Sequence, residues 1–119
     1  MINVKDQVYA ALCQVSDNVT DCYPKDWEHD LAIQYMEEEN NVAEYTDMQE
    51  QKAYCRYRVD IWHRKSTSAA AVAVDAAIAA LGLKRTQCMD VDDPSGRKHK
   101  TMRYEMIIDV KTQEVFHPY

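Results

Sequence analysis

The chain has 119 residues, 46% hydrophobic and 29% charged, the balance of one folded domain rather than a disordered segment. Its 20 acidic residues against 14 Lys and Arg give a formal charge of -6. That excludes a tight, sequence-reading DNA binder, since phosphate neutralisation needs clustered cations, but not a protein that DNA merely passes.

The N-terminus reads as a helix. Asn3 is placed to cap it, and Val4, Val8, Leu12 and Val15 recur at helical spacing until Ser16-Asp17-Asn18 ends the pattern. A short extended piece at Val19 to Tyr23 follows, then Pro24 and a loop holding Trp27. From Leu31 the period becomes two, with Leu31, Ile33 and Tyr35 on one face. The run Glu37-Glu38-Glu39-Asn40-Asn41 breaks the alternation and reads as a solvated turn, with a return strand over Val42 to Met48. The next strand, Lys52 to His63, alternates over its whole length. Ala53, Cys55, Tyr57, Val59 and Ile61 take one face; Tyr54, Arg56, Arg58, Asp60 and Trp62 take the other.

Ser66 to Gly82 predicts a second helix, capped by Ser66, Thr67 or Ser68 and ended by Gly82 in the left-handed conformation. Val74, Ile78 and Leu81 make a narrow stripe for the sheet, flanked by Ala70, Ala71 and Ala77. The opposite side holds Ala69, Val72, Ala76 and Ala79, with Asp75 at its edge, and is neither charged nor large. Three things fit such a back: bare alanine that tolerates water, cover from the first helix, or the close approach of a second subunit. Leu83 to Val91 and Thr101 to Lys111 read as strands around the turn Asp92-Asp93-Pro94-Ser95-Gly96, and the tail TQEVFHPY as a short extended end. The expected fold is α+β: a mainly antiparallel sheet of four to five strands with two helices on one face, in one domain over residues 1–119.

No catalytic pattern is present: no GxSxG, no HExxH, and too few glycines for a phosphate loop. The four histidines stand in no recurring ligand spacing, and Cys13, Cys22, Cys55 and Cys88 form neither a CxxC pair nor a zinc-finger spacing. Cys13 and Cys55 fall on apolar faces and read as small buried hydrophobes. The expectation is a non-enzymatic protein with no metal or cofactor, made in the cytosol with reduced thiols. No signal peptide is visible, and the longest apolar run, Ala69 to Val74, is too short to span a bilayer. Arg97-Lys98-His99-Lys100 is the one concentrated positive run, read either as a soluble hairpin tip or as a dock for an acidic neighbour. Tyr54, Arg56, Arg58 and Trp62 make the outer strand face rich in the residue types that interfaces favour.

A capped helix leads to YPKDW, then the alternating strand AYCRYRVDIWHR, an alanine-rich helix closing in ALGLKR, and the hairpin DVDDPSGRKHKTMRYEMIIDV. In this order the chain resembles the small tail-completion proteins, or tail terminators, of long-tailed phages and prophages of Gram-positive bacteria. The resemblance covers nearly the whole chain. It implies a homo-oligomeric ring, typically a hexamer, that caps the tail tube, stops its polymerisation and meets the head–tail connector, with no enzymatic step. The implied partners are further copies of the chain, the tail-tube protein and the connector protein. DNA passes without specific binding, and no membrane is involved. The implied place is the virion tail, assembled in the bacterial cytoplasm. The expected interface residues are Tyr54, Arg56, Arg58 and Trp62 on the strand, Ala69, Val72, Ala76 and Ala79 on the helix, and Arg97, Lys98 and Lys100 at the hairpin. Glu37, Glu38 and Glu39 are placed on the channel by charge alone. One rival is another head–tail connector or adaptor component of the same phage. The other is a ligand-binding or enzymatic domain with Tyr35, Tyr57, Trp62 and Tyr104 around a pocket.

Overall fold

The structure, a computed structural model, describes residues 1–117; Pro118 and Tyr119 of the expected extended tail lie outside the described residues. The elements run α1 (Lys5–Cys13), β1 (Val19–Thr20), β2 (Leu31–Thr46), β3 (Gln49–His63), α2 (Ser68–Ala79), β4 (Lys84–Val91), β5 (Lys98–Asp109) and β6 (Val115–Phe116). They form one mixed sheet in the order β1-β2-β3-β5-β4, with β6 pairing to β5 beyond the end of β4. The fold is α+β. Among the described residues there are six strands, not four or five, because Val19–Thr20 and Val115–Phe116 each add a two-residue strand. The first of these runs parallel to β2; the other pairings are antiparallel.

The alternation in β3 is what builds the core. Ala53, Cys55, Tyr57, Val59 and Ile61 are fully buried on one face, opposite Met102, Tyr104, Met106 and Ile108 of β5. Both helices close over this face. Val4, Val8, Ala11 and Leu12 come from the α1 end, and Ala71, Val74 and Ile78 come from α2. Val4, not Asn3, sits at the cap of α1, although Asn3 Oδ1 still accepts the Lys5 N–H at 2.9 Å. Gly82 ends α2 at φ 97°, as its sequence position predicts. A Cβ there would stand 3.0 Å from a Val115 methyl, so the same glycine also admits β6.

The acidic run is not a turn. Residues 37–41 continue β2, and the hairpin reverses at Asp47 and Met48, both at positive φ (52° and 60°). Two physical features keep the carboxylates in a strand. Glu37 accepts the Tyr57 hydroxyl at 2.7 Å, and a bulge between Glu37 and Glu39 turns Glu38 outward as well, so both Glu38 and Glu39 reach Arg56 (3.2 and 3.7 Å). The result is a long hairpin whose tip projects as a short two-stranded arm. Among the described residues only the few positions beyond Lys52 have no partner strand, and the molecule measures 52 by 24 by 22 Å.

Candidate functional site

Three surfaces carry the residues that the sequence singles out, and a fourth comes from the structure. The first is the outer face of the sheet. Here the structure corrects the expectation of a bare face at Trp62, which is only 3% exposed. The chain covers it itself: Tyr23 and Trp27 from the 21–30 loop contact its edge (centroids 5.7 Å each), and His99 stacks on its plane. Its indole N–H donates to Asp93 at 3.2 Å, and Arg97 reaches across to the Trp27 carbonyl at 2.7 Å and lies over the Trp27 ring. YPKDW is therefore a lid on a second, small core, with Pro24 fully buried beneath it.

Beside Trp62 lies Asp60, a carboxylate 4% exposed. It forms an ion pair with Arg58 (Nε–Oδ2 2.9 Å), accepts the Thr101 hydroxyl at 2.7 Å and meets His99 Nε2 at 2.8 Å. A buried charge persists only with such a set of partners. Arg58 is thus committed to its own chain. The same holds further along the strand. Arg56 and Arg103 share Glu38, and Tyr54 hydrogen-bonds Glu105; burial, aided by that bond, pushes the Tyr54 phenol up to about 12. Glu37, Glu38 and Glu39 are ion-paired or hydrogen-bonded within the chain.

The second surface is the back of α2, and it is open. Ala69, Val72, Ala76 and Ala79 are all exposed, with Val72 at 73%, as are Ala73 and Ala80. The one charge on the helix does not relieve this. Asp75 accepts the Tyr104 hydroxyl at 3.0 Å and pairs with Arg85 at 3.4 Å, drawn toward β4 and the core. Helix α1 lies beside α2 without covering this side.

The third is the β4–β5 turn. Lys98 is exposed and has no carboxylate partner among the described residues, Lys100 pairs with Asp90 at 3.0 Å, and Arg97 is spent on Trp27. Between this turn and the start of α2 lies an open cavity of about 510 Å³.

The fourth surface was not anticipated. At the tip of the hairpin arm Tyr45 and Met48 are exposed, Met48 at 88%, and Val42 is exposed further back on β2. A turn built on Asp-Met carries none of the usual Asn-Gly or Asp-Gly signal, which hid the tip from sequence reasoning. The proposed pocket of Tyr35, Tyr57, Trp62 and Tyr104 does not form. Tyr35, Tyr57 and Tyr104 point into the helix-covered core, and Trp62 lies on the opposite face. Among the described residues no group of three or more His, Cys, Asp or Glu is arranged to hold a metal, and no helix is long and apolar enough to cross a membrane. No family model matches the chain, and no curated protein matches it.

Proposed function

We propose that this protein is a structural subunit of a phage tail, one that assembles with copies of itself into a ring, caps the tail tube and joins it to the head connector. The observation that carries this reading is the open, chargeless back of α2. Five alanine and valine side chains face solvent on a twelve-residue helix whose only charge is turned away. Apolar patches of this kind mark contact surfaces, and small side chains let another backbone come close. Tyr54 and Arg56, half-buried on the outer sheet face, extend the surface available to a neighbour. Net charge supports the same reading, since an acidic ring lets DNA slide through without adhering.

The test is co-sedimentation with purified tail tubes, wild type against Ala76→Glu. A ring subunit seated through α2 pellets with the tubes, and the glutamate variant stays in the supernatant. Equal pelleting of both removes α2 from the interface. Pelleting of neither, with capture instead by a portal-side adaptor, makes the chain a different connector component.

A further inference from the structure

His99 is a buried titratable group for which the ring reading has no use. The register of β3 with β5 sets it opposite Trp62, and sets Asp60 opposite Thr101 two positions along, all on the outer sheet face. The His99 side chain is only 9% exposed and lies between two carboxylates. Its Nε2 meets Asp60 Oδ1 at 2.8 Å. Its Nδ1 is shut off from solvent, makes no hydrogen bond among the described residues, and stands 3.6 Å from Asp93 Oδ1 on a side chain 11% exposed.

A neutral imidazole carries one N–H and one lone pair. With the hydrogen on Nε2, the buried Nδ1 lone pair faces the Asp93 carboxylate; with it on Nδ1, the Nε2 lone pair faces Asp60 Oδ1 at hydrogen-bond distance. Only a ring protonated on both nitrogens offers each carboxylate a donor. Charge balance points the same way. Arg58 is the one permanent cation paired with Asp60, and the imidazolium offsets the second buried carboxylate. Hydrogen bonds from Ser95, then Trp62, hold the Asp93 carboxyl below its usual range, so it stays charged near neutral pH. The other groups around the ring do not supply that charge. Thr101 gives its hydroxyl to Asp60, Arg97 is turned to the Trp27 carbonyl, and Lys98 and Lys100 flank His99 on the alternate face of β5, Lys100 against Asp90. In the 21–30 loop His29 pairs with Asp26 and Asp30 with Arg64, while Lys25 and Glu28 are exposed.

We infer that His99 is a proton-operated latch: as an imidazolium between Asp60 and Asp93 it keeps the β4–β5 turn and the 21–30 lid closed over Trp62, and loss of one proton loosens both. The connection runs through the turn. Asp93 accepts the Trp62 indole N–H, and Arg97, four positions on, holds the Trp27 carbonyl, so a turn that moves off a bare Nδ1 lone pair slackens both attachments. Arg64 also donates to the Trp27 and Glu28 carbonyls, so the lid loosens rather than departs. The closed lid holds the proton and the loosened lid releases it. Closure is therefore complete in mild acid and is lost as pH rises through the range where histidine titrates. The latch does not depend on the ring reading.

Trp27 and Trp62 are the only tryptophans, so fluorescence reads this site alone. In the wild type, nitrogen NMR is expected to show both His99 ring nitrogens protonated at about pH 5 and one at about pH 8. Acrylamide quenching of the tryptophans is expected to rise about twofold over the same span as the lid opens locally. His99→Gln keeps an amide donor for Asp60 but cannot titrate, and it removes the rise. His29→Gln, which removes the exposed histidine of the lid, preserves it. If thermal melts show His99→Gln unfolded, the wild-type ring titration and quenching decide alone. A singly protonated His99 ring at about pH 5, quenching that is flat up to about pH 8, or a rise that survives in His99→Gln overturns the latch.

Discussion

His99 stacks on Trp62 with ring centroids 4.3 Å apart and planes 19° from parallel, while its Nε2 meets Asp60 at 2.8 Å. This pair joins the lid loop, the β4–β5 turn and the outer sheet face into one unit. Replacing Trp62 by alanine empties that small core and is expected to cost about 3–5 kcal/mol. Asp60→Ala leaves Arg58, His99 and Thr101 facing an uncompensated site and is expected to cost a similar amount. Urea denaturation measures both. A loss below about 1 kcal/mol in either would mean that the lid is dispensable.

The second expectation concerns alkaline pH. Burial raises the Cys55 thiol from 9.0 to about 11, and burial with a carboxylate partner raises Tyr54 to about 12 and Tyr57 and Tyr104 well above the phenol range. Each group is neutral when protonated, and folding favours that form. The stability they contribute is therefore complete below their unfolded values of 9.0 and 10.0 and is lost as pH climbs toward the folded ones. Melting temperature should fall progressively above pH 9. Spectrophotometric titration should show Tyr57 and Tyr104 ionising only as the protein unfolds, and Tyr57→Phe should flatten the alkaline decline. A melting temperature that is flat from pH 8 to beyond about 11 contradicts this.

Gly82 carries two constraints at once, a φ of 97° and a Val115 methyl 3.0 Å from any added Cβ. Gly82→Ala is expected to destabilise by about 1–2 kcal/mol and to loosen β6, whose neighbour His117 donates to the Gly82 carbonyl at 2.7 Å. Amide exchange at Val115 and Phe116 reports the loosening. Protection equal to the wild type would show that the sheet holds β6 without the helix end.

At the arm tip one residue is held in a conformation that its side chain disfavours. Met48 sits at φ 60°, where glycine is preferred, so Met48→Gly should raise folding stability by about 0.5–1 kcal/mol. Urea denaturation measures the gain, and a loss of stability would show that the Met48 side chain holds the turn despite its backbone conformation.

Much of this was legible in the residues. The strict alternation from Ala53 to Ile61 fixed the core face of β3, and Gly82 fixed the end of α2, because period and positive φ are local properties. The lack of charge on the back of α2 was also readable, since nothing between Ala69 and Ala79 except Asp75 is charged, but that α1 leaves it uncovered was not. What could not be read was satisfied at a distance. Glu37 and Glu38 look like a solvated turn until Tyr57, Arg56 and Arg103 arrive from neighbouring strands. Trp62 looks like an exposed anchor until Trp27, thirty-five positions earlier, and His99 close over it. The reversal at Asp47-Met48 carries no turn composition; the pairing of β2 with β3 imposes it.

Electron microscopy of particles made without this gene product tests the central claim most directly. If the chain caps the tail tube and joins it to the head, those particles show tails of irregular, overgrown length lying apart from filled capsids, and adding the protein back restores joined tails of uniform length. Uniform tails joined to filled capsids in its absence would contradict the account.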